Sequence, residues 1–353
     1  MRSLSDFNIY NKRVLVRCDF NVPLDKKGNI LNDFRIKKTL PTLDYLRENK
    51  AKIILMSHLD DPGGKVVSYL KMNKIAKRLS EYLVAPVLKA DECIGPEVES
   101  LSYQLKPGET LLLENLRFYP GETAGDIEFA QKLSFLGDIY INEAFSVCHR
   151  DHASVTGIPR FLPSGVGFLL EKEIEILKKV LSRPERPMIA LVGGKKVETK
   201  VQFINKILEV ADLVIVNNLI ASEIEEKNIA LKYPQKIIKP IIKGEDVKPF
   251  DLNNETIKFF CEKIRQAKTI LWNGPFGKFE ERCYKKGTRE IAKAIIESTA
   301  FSVVGGGETI EFLSQEGLID KFNHVSTGGG AMLSFIAGEK MPGLEAIERF
   351  NKL

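Results

Sequence analysis

The sequence predicts an α/β fold with two domains, each built on a mainly parallel sheet. Short runs of β-branched and aliphatic residues alternate with amphipathic stretches along most of the chain. Such alternation is typical of right-handed βαβ units, whose strands pair in parallel. At 353 residues the chain is also longer than most single domains and comfortable for two.

Apolar runs that end in polar residues or glycines are the strand candidates. In the first half they are RVLVRCDF, AKIILMSH, ETLLLENL and GDIYINEAF, and in the second half PMIALVGG, ADLVIVNN, AKTILWNGP, AFSVVGGG and NHVSTGG. Helical patterns such as MNKIAKRLSEYL and TREIAKAIIEST lie between them. The lysine-rich segment 218–267 contains one plausible short strand, KIIKPII, and is the least informative part of the chain.

The boundary between the two domains is predicted from one long helical pattern. GFLLEKEIEILKKVL, at 167–181, is followed by SRPERP, which combines two prolines with charged and polar residues. Proline disfavours continuation of a helix, and polar, proline-containing stretches are typical of domain boundaries. We therefore place the boundary there.

Composition excludes several classes of protein. The net charge is +5, from 52 Lys and Arg against 47 Asp and Glu, and the lysines are spread along the chain rather than grouped in a basic stripe, so no nucleic-acid partner is expected. No apolar run approaches the roughly 20 residues of a membrane span, and the start, MRSLSDFNIYNKR, has no apolar core of a secretory signal. The five cysteines lack CxxC spacing, which argues against a zinc site and favours free thiols in a reducing compartment. We expect a cytoplasmic protein without a membrane partner.

Polar side chains follow the candidate strands of the first half. Open parallel sheets bind ligands outside the carboxyl ends of their strands. The guanidinium group of arginine binds phosphate or carboxylate groups through two parallel hydrogen bonds. The polar residues at these strand ends therefore predict an anion site, with ordinary salt bridging as the alternative for any single arginine. The residues at these ends are Asp19, Asn21, Ser57, His58, Asn115, Arg117, Asn142, His149, Arg150 and His152, and Arg35 stands just ahead of a helical pattern.

The second half offers main-chain amides more than charged side chains. Two glycine triplets, Gly305–Gly307 and Gly328–Gly330, each close a candidate strand and open a helical pattern. Glycine lets a phosphate approach the backbone, and a helix N-terminus attracts anions. A single triplet is more often a tight turn, and neither is a P-loop. Two triplets after neighbouring strands predict one site for a polyphosphate or for a phosphoryl group in transit.

The segment GGKKVETK, at 193–200, supplies the cations for such a site. Lys196 and Lys200 are four residues apart, which predicts a common helical face directly after Gly193 and Gly194. The macrodipole disfavours lysine at a helix N-terminus, and a bound anion would remove that conflict. Solvated surface lysines are the alternative interpretation.

Taken together, these segments resemble the phosphoglycerate kinase family over nearly the whole chain. The matching segments occur in the family's order: RVLVRCDFNVPL, FRIKKTLPTL, MSHL, CIGPEV, LLLENLRF, GDIYINEAFSVCHRDHAS, RPERPMIALVGGKKV, ILWNGPFGKFE, VVGGGETIEF and VSTGGGAML. The resemblance implies two Rossmann-like three-layer domains joined by a hinge helix. It places a phosphoglycerate-binding domain at 1–167, the hinge at 168–184, a nucleotide-binding domain at 185–337, and a C-terminal tail at 338–353 that packs on the first domain.

The same resemblance implies the reaction and the residues that carry it. The reaction is 1,3-bisphosphoglycerate plus ADP giving 3-phosphoglycerate plus ATP, by a monomer that closes about its hinge, with Mg²⁺ bound mainly through the nucleotide phosphates. Arg35, Lys196, Gly306 and Gly329 are the implied catalytic residues. The implied substrate-binding residues are Asp19, Phe20, Asn21, Arg35, His58, Arg117 and Arg150. The implied nucleotide-binding residues are Gly193, Gly194, Lys200, Asn273, Pro275, Glu280, Gly305, Gly306, Gly307, Glu308 and Thr309, with Glu308 nearest the metal.

The chain departs from the family's pattern at four places. SHLDDP stands where members usually read SHLGRP, so Asp60 and Asp61 replace a glycine and a substrate-facing arginine. GGGET replaces GGGDT, and GGKKV replaces GGAKV, which adds Lys195 beside the site. VNNLIASE, at 216–223, replaces a glycine-rich turn, and the following segment is shorter than usual. These changes leave the base preference and the strength of substrate binding open.

Two alternative functions accompany the main hypothesis of an active, minimal enzyme. Asp60, Asp61 and the shortened segment are compatible with a catalytically impaired binding or regulatory protein on the same fold. A dinucleotide dehydrogenase would follow from the fold alone, but its G-x-G-x-x-G fingerprint with a later acidic residue is absent.

Overall fold

The structure is a computed structural model that describes residues 1–195, 200–241 and 250–350. The chain divides into two compact units, Met1–Ile174 with the C-terminal residues from Lys340, and Glu175–Glu339. The boundary between them falls inside the helix Phe168–Ser182.

Each unit contains one six-stranded sheet, and every strand pairing in both sheets is parallel. In the first unit the strands are β1 Arg13–Arg17, β2 Lys52–Met56, β3 Val87–Lys89, β4 Thr110–Leu112, β5 Ile139–Asn142 and β6 Ser164–Val166. In the second they are β7 Met188–Val192, β8 Leu213–Val216, β9 Ile237–Ile238, β10 Thr269–Asn273, β11 Phe301–Gly305 and β12 His324–Val325.

Helices separate these strands along the chain. Those of the first unit are α1 Phe34–Glu48, α2 Asn73–Leu83, α3 Pro96–Gln104, α4 Pro120–Thr123, α5 Ile127–Ser134 and the C-terminal α13 Pro342–Phe350, and α6 Phe168–Ser182 contains the boundary. Those of the second unit are α7 Val201–Val210, α8 Asn218–Glu226, α9 Asn254–Ile264, α10 Lys286–Glu297, α11 Gly307–Gln315 and α12 Gly330–Ala337. This confirms the predicted α/β class with two mainly parallel sheets.

In each sheet the first strand along the chain lies in the interior, with later strands on both sides of it. The order is β3-β4-β2-β1-β5-β6 in the first sheet and β12-β11-β10-β7-β8-β9 in the second. In the first sheet β2, β3 and β4 lie on one side of β1, and β5 and β6 on the other; in the second sheet β8 and β9 lie on one side of β7, and β10, β11 and β12 on the other. Such switch points leave a crevice at the carboxyl ends of the two central strands, here between β1 and β5 and between β7 and β10.

The strand candidates form the cores of the two sheets because they bury apolar side chains on both faces. All five residues of β7 and all five of β10 are buried, as are four of the five in β1 and in β2. Helices cover the faces with one apolar side each; in α2, for example, Ile75, Ala76, Leu79 and Leu83 are buried at helical spacing.

Sequence patterns missed the two edge strands β3 and β6. Their sequences, VLK and SGV, are short and contain polar or glycine residues, so neither strand shows the continuous apolar run by which ETLLLENL identified β4. The strand expected within KIIKPII is present as β9, but it has only two residues.

The C-terminal helix α13 belongs to the first unit, although it follows the whole second unit in sequence. The Gly343 amide donates to the Cys148 carbonyl at 2.9 Å. A Cβ at residue 343 would lie 2.6 Å from Val155 Cγ1, so glycine permits this close approach. None of the described helices is long and apolar enough to cross a membrane.

Candidate active site

The carboxyl edge of the first sheet gathers most of the side chains that the sequence placed there. Asp19 follows β1, and its Oδ2 accepts a hydrogen bond from Arg35 Nη1 at 2.6 Å. Arg35 lies in the first turn of α1. Ser146, which follows β5, also donates to Asp19 Oδ2. Asp19 therefore stands at the switch point between β1 and β5.

The charge of Asp19 is maintained despite its burial. Burial alone would raise the pKa of this carboxyl group, but Arg35 and hydrogen bonds from the Ser146 hydroxyl and the Asn21 amide help to outweigh it and lower the pKa to about 2. Asp19 is 4% exposed. Its carboxylate holds Arg35 by an ion pair that is partly buried.

Asn21, Asp60 and Arg117 are connected through the backbone of Asp60. The Asp60 amide donates to Asn21 Oδ1 at 2.8 Å, and the Asp60 carbonyl accepts from Arg117 Nη1 at 2.7 Å. Asp60 has φ 56°, in the left-handed region where glycine is favoured and aspartate is tolerated. This explains how aspartate can replace the glycine expected at this position.

Arg117 has a hydrogen-bond donor that could bind an anion. Its Nε is buried and has no hydrogen-bond partner among the described residues. Burial and the positive charge of Arg150 lower the pKa of its guanidinium group, whereas Asp61 opposes that effect. Arg150 is exposed, and so is Asp61. Two guanidinium groups that repel each other, one of which has a buried donor without a partner, favour a bound anion.

The strand ends are also tied to one another. The Phe20 amide donates to Ser57 Oγ at 2.8 Å, which joins the ends of β1 and β2. Asn115 Oδ1 accepts from the amides of Leu59 and Arg117, both at 3.1 Å. Phe20 and Asn115 are buried, so these contacts fix the backbone around His58 and Arg117 rather than offering groups to solvent.

Arg17 and Glu122 are polar residues of this region that sequence reasoning missed. Both are fully buried, behind the residues at the carboxyl edge, and His58 is bonded to Arg17. Arg17 lies within the strand candidate RVLVRCDF. An arginine at an inward position of an otherwise apolar strand is the signal that could have identified it.

At the switch point of the second sheet, two loops are joined by their own backbones. The Gly193 amide donates to the Asn273 carbonyl at 2.8 Å, and the Gly194 amide to the Pro275 carbonyl at 2.8 Å. A Cβ at Gly274, where φ is 91°, would lie 2.2 Å from the Gly193 oxygen. These glycines allow the loops after β7 and β10 to touch. The amides of Gly193 and Gly194 are thus used within the protein.

The two glycine triplets follow adjacent strands, as predicted. β11 pairs with β12 in the register Val303↔His324, and Ser326 continues the ladder through its amide to the Val304 carbonyl at 2.8 Å. A Cβ at Gly305 would lie 2.4 Å from Met332 Sδ, so glycine at this position lets α12 pack against β11.

Both triplets end in helix N-termini without a side-chain cap. Gly306, with φ 97°, precedes α11, and Gly329, with φ 52°, precedes α12; no side-chain hydrogen bond caps either one. The first amides of a helix have no acceptor within it. Gly307, in the first turn of α11, has open space where a Cβ would be. These two turns can therefore receive an anion on main-chain N–H groups.

Asn273 adds a side-chain donor to the first of these turns. Its Nδ2 is buried without a hydrogen-bond partner among the described residues and lies 3.2 Å from the position of a Cβ on Gly306. Thr309 is already engaged, since its Oγ1 accepts from the Gly274 amide at 3.0 Å. A buried amide donor without an acceptor costs free energy, and a phosphate oxygen at this turn would supply the acceptor.

Lys200 is a buried cation of the second unit. It is 9% exposed, and its Nζ donates to the Gly193 carbonyl. Burial lowers the pKa of its ammonium group to about 8, an effect that Glu308 partly opposes. Lys200 precedes α7, which begins at Val201. Lys196 lies outside the described residues, so the predicted common helical face of Lys196 and Lys200 has no structural counterpart to report.

A cavity of about 430 Å³, counting space open to solvent, lies against this switch point. It is lined by apolar groups that include Leu219, Phe250 and Phe276, and by the predicted nucleotide residues Gly194, Pro275, Glu280 and Glu308, together with Lys195 and Asn217. A cavity lined by apolar side chains and a few charged groups has the character of a site for a nucleotide.

The altered turn VNNLIASE forms one wall of the cavity. Asn217 caps α8 by accepting from the Ile220 amide at 2.9 Å, and its Nδ2 donates to the Gly194 carbonyl at 3.1 Å. Where the family's pattern has glycines, this chain therefore has a side chain that joins the loops after β7 and β8.

Comparison with known proteins agrees with this geometry. The family model for phosphoglycerate kinase matches residues 4–230 and 219–339. The phosphoglycerate kinase of Dictyoglomus turgidum is 41% identical over 388 aligned positions, which cover 98% of this chain and 98% of that protein. The chain belongs to the phosphoglycerate kinase family. Membership makes it a phosphotransferase by descent and excludes the dehydrogenase interpretation.

Other members of the phosphoglycerate kinase family show the same extent of similarity. The phosphoglycerate kinase of Moorella thermoacetica is 38% identical over 387 positions, covering 98% of both chains. The crystal structure of phosphoglycerate kinase from Pyrococcus horikoshii OT3 has a TM-score of 0.90 at 33% identity and covers 100% of both chains. The comparisons give no support to a regulatory protein.

The comparisons also bear on the length of this family member. The alignment with the Moorella protein extends over 387 positions, whereas the chain has 353 residues, so that relative carries residues that this chain lacks. The two matches to the family model share residues 219–230, directly after β8. This agrees with the expectation that the segment following VNNLIASE is shortened.

Proposed function

We propose that the protein catalyses the reversible transfer of a phosphoryl group between 1,3-bisphosphoglycerate and ADP, giving 3-phosphoglycerate and ATP, as an enzyme of glycolysis and gluconeogenesis. The relationship to phosphoglycerate kinases over 98% of the chain carries the proposal. The anion-binding groups at the carboxyl edges of both sheets support it independently.

The first unit supplies the groups for phosphoglycerate. Arg35, held by Asp19, presents a guanidinium group in a fixed position, and Arg117 and Arg150 supply the other guanidinium groups. In this proposal Asn21 and the main chain of Phe20 shape the substrate's surroundings, and His58 donates a hydrogen bond.

The second unit supplies the groups for the nucleotide. The uncapped turns at Gly306 and Gly329 and the vacant Asn273 amide are suited to phosphate oxygens. Lys200, at the β7 loop, provides a cation close to Glu308. The base would occupy the apolar part of the cavity beside Phe250, which Glu280 also lines. Lys196 is proposed from the resemblance alone to steady the transferred group.

The reaction needs no general base. In the direction of ATP use, a carboxylate oxygen of 3-phosphoglycerate forms the new bond to the γ-phosphorus, the bond from that phosphorus to the β,γ-bridging oxygen of ATP breaks, and ADP leaves with this oxygen. A carboxyl group of this kind ordinarily has a pKa of roughly 3.5–4, so the attacking carboxylate is already ionised at neutral pH. Phosphoryl transfer instead demands positioning and donors around the equatorial oxygens, which arginines, lysines and main-chain amides provide.

Mg²⁺ fits the donor set only as a partner of the nucleotide. No cluster of three His, Cys, Asp or Glu side chains that could hold a metal occurs in the described part of the chain. A single carboxylate, Glu308 in the first turn of α11, is suited to a hydrated Mg²⁺ held mainly by phosphates. When bound, the ion neutralises charge on the phosphate oxygens.

Transfer also requires the two ligands to meet, and we propose closure about the helix Phe168–Ser182 for this purpose. Closure would exclude the water that otherwise competes for the acyl phosphate. We further propose a cytoplasmic monomer, in line with free cysteines throughout.

A coupled assay with the purified protein tests the activity. We expect turnover with 1,3-bisphosphoglycerate and ADP, with GDP assayed in parallel because the nucleotide turn is altered. Arg35→Met should lower kcat/KM by about 100-fold or more, since it removes a charge-assisted contact and leaves Asp19 unpaired. Lys206→Met, a change of an exposed lysine on α7 paired with Glu209, is the control and should leave the rate unchanged. Absence of turnover with any nucleotide would refute the proposal.

A further inference from the structure

A buried arginine stands behind the proposed phosphoglycerate site. Arg17, in β1, has no exposed surface. Its Nε donates to Ser154 Oγ at 2.9 Å, and its Nη1 donates to the Cys18 carbonyl. These contacts lie inside the first unit, and the proposed phosphoryl transfer does not use Arg17.

The third nitrogen of this guanidinium group contacts His58. Arg17 Nη2 lies 3.2 Å from His58 Nδ1. A guanidinium group can only donate hydrogen bonds, so Nδ1 must be the acceptor and must carry a lone pair. The imidazole proton therefore resides on Nε2, and His58 is neutral. The chemistry of the partner, and not the ring geometry, assigns this tautomer.

The charges around His58 also favour the neutral ring. Three cations, Arg17, Arg117 and Arg35, face it against one carboxylate, Asp19. Burial and Arg17 hold the pKa of His58 well below its usual 6.5, and Asp19 only partly offsets them. The ring would therefore stay neutral throughout the physiological range of pH.

Arg17 is itself held in place by a buried carboxylate. Glu122 Oε1 lies 3.9 Å from Arg17 Nη2 and accepts from Ser154 Oγ at 2.6 Å. The Ser154 amide donates to Glu122 Oε2 at 2.9 Å. Arg17 therefore has a counterion and a hydroxyl partner that orient its guanidinium plane.

We propose that Arg17 is a positioning residue for phosphoglycerate, which acts by holding His58 as a neutral imidazole with its N–H on Nε2. This inference rests on the proposed function. His58 then offers the substrate a hydrogen-bond donor without a positive charge, and the positive charge of the site comes from the arginines, whose protonation does not change with physiological pH. The contribution of His58 to substrate binding is accordingly insensitive to pH.

NMR of the ¹⁵N-histidine-labelled full chain tests the tautomer directly. The chain has four histidines, and His58→Asn identifies the resonances of this one. We expect two-bond ¹H–¹⁵N correlations of the Nε2–H form, unchanged between pH 5.5 and pH 8. An Nδ1–H pattern, or titration of His58 in that range, would overturn the inference. The tautomer is read from the wild-type protein, and the variant serves only to assign the resonances.

Kinetics test the positioning role. Arg17→Met with Glu122→Gln removes the cation and its counterion together, which avoids an unpaired buried charge. We expect the KM for 3-phosphoglycerate to rise about tenfold over wild type at pH 8 and by no more than about threefold at pH 5.5, because the freed ring gains a proton at low pH. The KM for ATP should not change. Arg17→Lys, which retains a cationic donor, should restore a KM ratio that does not vary with pH.

The controls separate this role from simple loss of structure. Arg289→Met with Glu316→Gln removes a half-exposed Arg–Glu pair of the second unit, whose closest contact is 2.8 Å, and should change neither KM. A KM ratio for the Arg17 double variant that is equal at both pH values would contradict the inference. If that variant does not fold, as judged by circular dichroism, the NMR spectrum of the wild type still tests the tautomer of His58. Absence of wild-type turnover would refute the proposed function alone, whereas the wrong tautomer in an active enzyme would refute only this inference.

Discussion

Replacement of Lys200 by methionine should stabilise the free protein while it weakens nucleotide binding. Lys200 is buried beside the Gly193 carbonyl, and its pKa falls from the usual 10.5 to about 8, mainly because burial penalises the charged form. Methionine has a similar shape without the charge. The substitution therefore removes a buried charge that destabilises the free protein. The phosphates of a bound nucleotide would offset this destabilisation in the wild type.

The magnitude follows from the shift in pKa. A lowering from 10.5 to about 8 corresponds to a penalty of about 3 kcal/mol in the free energy of unfolding when the lysine is protonated. Loss of the hydrogen bond to the Gly193 carbonyl lowers the free energy of unfolding by about 1 kcal/mol. We therefore expect a net stabilisation of about 2 kcal/mol at pH 7. In a unit of this size that raises Tm by about 4–8 °C.

The dependence on pH distinguishes this cause from better packing. Because the folded-state pKa is the lower one, the penalty is fully present below about pH 8 and disappears as the pH rises towards 10.5. The stability difference between Lys200→Met and wild type should therefore shrink over that interval. Urea unfolding followed by tryptophan fluorescence suits the measurement, since the single tryptophan, Trp272, is buried in the second unit.

The functional side of the same variant is measured by calorimetry with ADP. Loss of a charge-assisted contact to phosphate should weaken binding by about 10- to 100-fold. Lys206→Met serves as the control and should change the free energy of unfolding by less than about 0.5 kcal/mol. Destabilisation of Lys200→Met at pH 7, or a stability gain that is the same at pH 7 and pH 10, would refute the reasoning.

Three further predictions follow from the geometry of the two sites. Asp61→Arg restores the guanidinium group that the family usually has and should lower the KM for 3-phosphoglycerate by about tenfold or more; an unchanged KM in the coupled assay would contradict the anion site. Asp19 has a pKa of about 2 against the usual 3.8, so its carboxylate stabilises the fold above pH 3.8 and loses this contribution as the pH falls towards 2. In urea unfolding, Asp19→Asn should lower the free energy of unfolding by about 2 kcal/mol at pH 7, and this loss should decline between pH 3.8 and pH 2. Gly274→Ala would place a methyl group 2.2 Å from the Gly193 oxygen and should cost more than about 3 kcal/mol, whereas Gly307→Ala, which meets open space, should leave Tm nearly unchanged and weaken ATP binding.

Much of the fold was visible in the sequence because its signals are local. The apolar runs that became β1, β2, β7 and β10 are continuous and end in polar or glycine residues, a pattern that requires burial on both faces of a sheet. Glycine triplets between a strand and a helix identify backbone conformations that other residues disfavour. The edge strands β3 and β6 lacked such a signal, since VLK and SGV do not form a continuous apolar run.

The candidate site was only partly predictable for the same reason. Arginines and histidines at strand ends could be recognised, and Asp19 with Arg35 lies where the sequence placed it. The use of the Gly193 and Gly194 amides by the β10 loop could not be foreseen, because it depends on which strands are neighbours.

By itself the sequence determined the alternation of strands and helices, the family, and the residue types that can hold phosphate. Only the tertiary structure decided which of those groups have a hydrogen-bond donor without a partner, which are charged, and which orient a neighbouring side chain. Arg17 and Ser154 are 137 residues apart in sequence and 2.9 Å apart at Nε and Oγ. Hydrogen-bond capacity and pKa depend on such neighbours, and the fold alone brings them together.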